Sequence, residues 1–158
     1  MIELNNFTYK TNRILFEGAN FIAPSIGIIG IAGESGCGKT TLLKIISKQI
    51  PVNSLINDSS SIFYGNQDAL LKKDLTIAQQ FELIESIYNR KHDQNTIDEL
   101  FNSLNIKANL SQKYDSCSLG EKKRIMIALS VYSNSPCIIL DEPLSSVDYE
   151  DKHSIMKL

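Results

Sequence analysis

Residues 33–41 read Gly-Glu-Ser-Gly-Cys-Gly-Lys-Thr-Thr, a complete match to the phosphate-binding loop G-x-x-x-x-G-K-[ST]. Nothing else in the chain restricts its fold as strongly, because this loop functions only between a strand and a helix. The apolar run Ile26 to Ala32 supplies the expected strand, and Thr41 to Lys48 the expected helix. Gly33, Gly36 and Gly38 let the backbone wrap closely around a phosphate chain. Glu34, Ser35 and Cys37 complete the loop with further inward-facing N–H groups. The helix that begins near Thr41 adds the positive end of its dipole. Lys39 has the reach for the β- and γ-phosphates, and the Thr40 hydroxyl is a candidate Mg²⁺ ligand. At average composition, a chance match in a chain of this length occurs about once in a few hundred sequences. The residues therefore imply binding of a nucleoside triphosphate.

The chain has 158 residues, enough for one domain, with 42% hydrophobic and 22% charged residues, so it can bury a core and stay soluble. Its formal net charge of −2 gives no bias toward polyanions, so nucleic acid is not an expected partner and phosphate binding must be local. The longest uncharged apolar stretch, Phe21 to Gly33, is broken by Pro24, Ser25 and glycines and is too short to span a bilayer. Met1-Ile2-Glu3-Leu4 has no basic n-region, so no secretion signal is expected. Three cysteines, an odd number, fit a reducing cytosol better than a disulfide framework.

Residues 1–22 alternate short β-prone runs (Ile2 to Phe7, Ile14-Leu15, Asn20 to Ile22) with turn-like Lys10 to Arg13 and Glu17-Gly18, as a small antiparallel sheet would. Polar Pro51 to Ser60 reads as a loop, and Ser61 to Tyr64 as a short strand ending at Gly65-Asn66-Gln67. Helical spacing runs from Thr76 to Tyr88 and again from Thr96 to Leu104, the second capped by Thr96 or Asn95. Ser118, with Glu121 three residues on, predicts a capping box opening a helix to about Tyr132. Cys137 to Leu140 reads as a buried parallel strand, and Asp148 opens a last helix. A buried strand that ends in Asp141-Glu142 delivers two carboxylates to the edge where ligands bind in open α/β sheets. Asp141 would hold Mg²⁺ and Glu142 would polarise an attacking water as general base.

With these motifs in order, the chain resembles the ATP-binding domain of ABC (ATP-binding cassette) transporters over its whole length. Leu140-Asp141-Glu142-Pro143 followed by Leu144-Ser145-Ser146-Val147-Asp148 resembles the Walker B strand and D-loop. Cys117-Ser118-Leu119-Gly120-Glu121-Lys122-Lys123-Arg124 lies where the family has its signature loop and helix. Gln67 corresponds to the Q-loop glutamine, and Tyr9, 24 residues before Gly33, to the aromatic that stacks on adenine. The resemblance implies that Gln67 contacts Mg²⁺ and couples the site to a helical subdomain. It also implies that Ser118, Leu119, Gly120 and Glu121 face the γ-phosphate held by a partner domain, and that Asp148 acts between subunits.

This chain departs from the family in two ways. Leu119 replaces the first signature glycine and Glu121 the usual glutamine; Lys122, Lys123 and Arg124 are expected to offset the added charge. Ser-Leu-Gly resembles bacterial exporters of peptides and drugs, and Asn109 to Cys117 lacks the charged motif of fused exporters, which implies a separate ATPase subunit. The family's switch histidine lies beyond the helix after the D-loop, and neither His92 nor His153 occupies that position. The strand preceding that histidine belongs between the phosphate-loop strand and the Walker B strand. A C-terminally truncated domain is therefore expected, with little turnover of its own and with two apolar strand edges exposed.

The expected fold is α/β: a P-loop NTPase with a RecA-like parallel core, an N-terminal antiparallel β subdomain and a helical subdomain. Residues 1–24 would form the antiparallel β part, 25–66 and 133–158 the parallel core, and 67–132 the helical subdomain. The implied function is ATP binding and hydrolysis powering a transporter, in the exporter direction, with Mg²⁺ as cofactor. The implied partners are ATP, a second ATP-binding domain and an integral membrane permease, which would place the chain on the cytoplasmic face of the membrane. The alternatives are a nucleotide-binding module that does not hydrolyse, and a soluble ABC ATPase outside transport.

Overall fold

The computed structural model describes residues 2–57, 61–66 and 72–145. The chain divides into two compact units, Met1–Ile62 and Phe63–Leu158.

In the first unit, β1 (Ile2–Lys10) and β2 (Ile14–Ala23) make one long antiparallel hairpin, from Ile2 opposite Ala23 to Lys10 opposite Ile14. Glu17-Gly18, expected as a turn, is instead a bulge inside β2. Phe7 pairs with Ala19 and Tyr9 with Phe16, so β2 carries one residue more than β1 over this stretch. Gly18 takes φ 55° there, and its N–H donates to Thr8 Oγ at 3.1 Å. β3 (Leu55–Asn57) pairs with the other edge of β1 and was expected to be loop. Three residues inside a polar segment carry too little pattern to reveal a strand; the free edge of β1 recruits them. α1 (Lys39–Ile46) starts two residues before the expected helix and buries Ile45 and Ile46.

The expected phosphate-loop strand is absent. Residues 26–32 have no strand geometry, and Ile26, Ile28 and Ile29 are 91%, 101% and 44% exposed. The physical reason lies in β-propensity itself, which measures fit to a paired, half-buried surface. No described residue pairs with this run.

The second unit holds β4 (Ile62–Gly65) from its second residue on, α2 (Ile77–Tyr88), α3 (Gln94–Ser103), α4 (Leu119–Tyr132) and β5 (Cys137–Leu140). β4 and β5 pair in a parallel sheet, and the three helices form the crossover between them. β5 is less enclosed than a core parallel strand: Ile139 is buried but Ile138 is 42% exposed. The apolar faces of the helices converge on Phe63, Phe81, Ile84, Leu100, Ile125 and Leu129. Asn89, Asn105 and Asn134 follow the three helices at φ 52°, 50° and 51°, the left-handed conformation that asparagine tolerates better than most residues. α3 begins earlier than expected because Asp93, rather than Asn95 or Thr96, is its cap. The Asp93 carboxylate accepts from the Thr96 backbone N–H (3.1 Å) and hydroxyl (2.7 Å). These bonds hold its pKa below the usual carboxylate value. The helix expected from Asp148 onward lies outside the described residues, as does His153.

Tyr132 ties these helices together. Its ring meets Phe81 edge-on at 5.0 Å and lies under the Arg90 guanidinium at 4.8 Å. Its hydroxyl donates to Glu85 Oε1 (2.6 Å) and accepts from Asp93 N–H (3.1 Å). Tyr132→Phe keeps the ring and removes both bonds. A loss of about 1–3 kcal/mol in urea-unfolding free energy is expected, and a change below a few tenths would show that the hydroxyl is not structural.

Candidate functional site

Chemistry-bearing residues occur in each unit. In the first, the phosphate loop is a glycine-rich turn held by groups from outside it. Gly38 caps α1 at φ 105° and Gly36 stands at φ 76°. A Cβ on Gly38, at a φ that side chains rarely adopt, would come within 2.9 Å of Phe16 Cζ, and one on Gly33 within 2.9 Å of Cys37 Sγ, so either would push a neighbouring side chain aside. The Lys39 ammonium donates to the Gly33 and Glu34 carbonyls, both at 2.8 Å. Cys37 N–H closes the turn onto the Glu34 carbonyl at 3.3 Å. Ser35 and Cys37 are exposed at the loop, while Thr40 and Thr41 occupy the first turn of α1, with Thr40 exposed.

Two residues of the β1–β2 hairpin reach this loop and were not foreseen. Phe16 packs on Gly38, and the Arg13 guanidinium donates to the Gly36 carbonyl. Tyr9 is opposite Phe16 in the ladder and half-buried, its ring stacked 6.2 Å from that of Phe7, which lies 5.4 Å from Phe16. An aromatic row thus runs from Tyr9 to the loop. The sequence signal for Phe16 was its place in the strand that returns from Tyr9; Arg13 read only as part of a turn.

In the second unit the expected capping box is present. The Glu121 backbone N–H donates to Ser118 Oγ (3.3 Å), and Glu121 Oε2 accepts from the Ser118 N–H (3.0 Å) and hydroxyl (2.8 Å). These bonds lower the Glu121 pKa. Leu119 is 50% exposed beside Gly120 in the first turn of α4. The basic run after Glu121 does not behave as one solvated cluster. Lys122 turns to Asp115, donating to its carbonyl at 2.8 Å, and Lys123 is buried.

β5 ends as expected at the two acids. Asp141 N–H donates to the Gly65 carbonyl at 3.0 Å, and Asp141 is half-buried. The Asp141 charge, after burial, helps raise the pKa of Tyr64. Glu142 is exposed and stands at φ 51°, a left-handed conformation that is uncommon for glutamate. Gly65 lets the end of β4 pack tightly, since a Cβ there would lie 2.7 Å from Leu140 Cδ2 and displace that side chain. Gln67 and Asp148 lie outside the described residues.

Comparison with known proteins places these motifs in a family. The sequence matches the model of the ABC transporter family over residues 16–145. It is 32% identical to the cytochrome c biogenesis ATP-binding export protein CcmA of Reclinomonas americana, over 93% of this chain and 72% of that protein. It is 27% identical to the molybdate import ATP-binding protein MolC of Haemophilus influenzae, over 99% of this chain and 65% of that one. The fold superposes with a TM-score of 0.79 and 22% identity on the dimeric ATP-binding cassette MJ0796 bound to ADP and Pi in a post-hydrolysis state. That match covers 99% of this chain and 80% of the other.

Two outcomes test these arrangements. Lys39→Ala removes the only side-chain ammonium in the loop, and ATP affinity by calorimetry is expected to fall about tenfold or more, the loss of a charge-assisted phosphate contact; unchanged affinity would displace the loop from the site. Ser118→Ala is expected to cost about 1 kcal/mol of stability at neutral pH. Because the folded-state pKa of Glu121 is depressed, its contribution is present above the ordinary carboxylate pKa and fades as pH falls through the folded value. The difference between variant and wild type in urea unfolding should therefore narrow in acid.

Proposed function

The chain belongs to the ABC transporter family, whose ATP-binding domains are ATPases, and on that premise we propose that it is the ATP-hydrolysing subunit of an exporter. The observation that carries the nucleotide half of this reading is the Lys39 ammonium clasped by the Gly33 and Glu34 carbonyls. That geometry holds a positive charge at the loop, and an incoming phosphate would replace the two carbonyls as its partner. Gly33 through Thr41 bind the phosphates, and Tyr9 offers its ring to adenine, a sequence-tolerant contact that needs only a flat face.

The chemistry of the donors suits Mg²⁺: the Thr40 hydroxyl in the first unit and the Asp141 carboxylate in the second are each accessible hard oxygen donors of the kind that Mg²⁺ takes, and by the family resemblance each would serve the ion. Gln67 would join them. Bound with ATP, the ion neutralises charge on the phosphates. Glu142 acts as general base on the attacking water, its carboxylate exposed at the end of β5. Ser118, Leu119, Gly120 and Glu121 face the γ-phosphate of a second ATP-binding domain, where the start of α4 offers N–H groups and a dipole, and Asp148 acts across that same interface.

The export direction draws on the Ser-Leu-Gly signature and on the 32% identity to an export protein, against 27% to an import protein. A membrane permease is the partner that would convert hydrolysis into transport, which would place this subunit at the cytoplasmic face of the membrane. No helix among the described residues is long and apolar enough to cross a membrane.

Glu142→Gln tests the catalytic half. In the full-length protein the variant should bind ATP with affinity close to wild type, hydrolyse it about 10²-fold or more slowly, the usual scale for losing a general base, and accumulate as an ATP-bound dimer on size exclusion. Wild-type phosphate release from this variant would reassign the base.

A further inference from the structure

Lys123 is 2% exposed, yet it carries a charge, on a helix whose other buried positions are Ile125, Met126, Ile127, Ala128, Leu129, Ser130 and Tyr132. A buried ammonium is costly unless its hydrogen bonds are satisfied. Here they are directed at one place. Lys123 Nζ donates to the Glu142 carbonyl at 3.0 Å and to the Ser145 hydroxyl. The Ser145 hydroxyl and N–H also donate to that carbonyl, at 3.0 and 3.2 Å. Three donors from two residues therefore converge on the Glu142 carbonyl oxygen. Glu142 is the residue held at φ 51°, where a non-glycine backbone costs about 1 kcal/mol or more and persists only if its surroundings over-determine it.

We propose that Lys123 is a positioning residue for Glu142: its buried ammonium and the Ser145 hydroxyl clamp the Glu142 carbonyl, hold the backbone left-handed, and so fix where the carboxylate points. The proposal rests on the reading of Glu142 as the general base. It also gives α4 a second task. Ser118, at the start of the helix, and Lys123 are five residues apart, about 7.5 Å along a rigid rod. Burial lowers the Lys123 pKa, and the charges of Glu142 and Asp141 push it back up, so the acids at the end of β5 help keep the clamp charged.

A purely structural lysine makes a different prediction from a positioning one. Lys123→Met keeps the length and fills the slot with an apolar chain, while the Ser145 hydroxyl and N–H still satisfy the Glu142 carbonyl. In the full-length protein we expect kcat for ATP hydrolysis to fall about tenfold or more, with ATP affinity within about twofold of wild type and Tm close to wild type. Ser145→Ala should lower kcat in the same direction by less. Because Lys123 acts through Glu142, adding Lys123→Met to Glu142→Gln should slow turnover no further. Wild-type kcat in Lys123→Met, a kcat loss that tracks a lower Tm, or additive losses in the double variant would each overturn the proposal. Wild-type turnover in Glu142→Gln alone would instead overturn the assignment of the base.

Discussion

The backbone bond from Asp141 N–H to the Gly65 carbonyl is the constraint from which the chemistry of the second unit follows. It joins the ends of β4 and β5, where a Cβ on residue 65 would stand 2.7 Å from Leu140 Cδ2 and force that side chain to move. Met126 of α4 packs at the same point, its sulfur 3.1 Å from where a Cβ on Gly65 would stand. One strand end, one helix and the two acids therefore share a single junction. Glu142 is the first residue beyond it, and its left-handed backbone turns the chain away from the strand direction. The Lys123 and Ser145 donors bond the Glu142 carbonyl at that turn, so the strained residue and its restraint are built by the same elements.

The first unit solves a related problem with different groups. A loop rich in glycine gains freedom that must be removed if its N–H groups are to converge. Phe16 against Gly38, Arg13 on the Gly36 carbonyl and Lys39 across the Gly33 and Glu34 carbonyls remove it from three sides. Two of these three come from the β1–β2 hairpin, which gives the N-terminal sheet a role beyond presenting Tyr9. The bulge at Gly18 belongs to the same arrangement, since the added residue in β2 sets which side chains fall opposite Tyr9.

Local signals were legible wherever the chemistry is local. The capping box of Ser118 and Glu121 lies within four residues, and the structure forms it as the spacing implies. The strand Cys137–Leu140 and the acids behind it were likewise readable, because an apolar run ending in carboxylates states its own boundary. The cap of α3 was misplaced by two to three residues because Asp93, Asn95 and Thr96 are all good caps, and only the hydrogen bonds choose among them.

The phosphate loop, the acids that follow β5, the helix opened by Ser118 and the family to which they belong are legible in the chain alone, because each is written in contiguous residues with fixed spacing. Folding decided that Lys123 is buried against Glu142 while Lys122, its neighbour, turns to Asp115, and that Phe16 and Arg13 brace the phosphate loop. It also decided that the apolar run 26–32 forms no ladder among the described residues, while the unremarkable Leu55–Asn57 does. The reason is the same in each case. A strand, a buried charge and a strained backbone residue take their state from partners distant in the chain, and the identity of those partners is settled by packing.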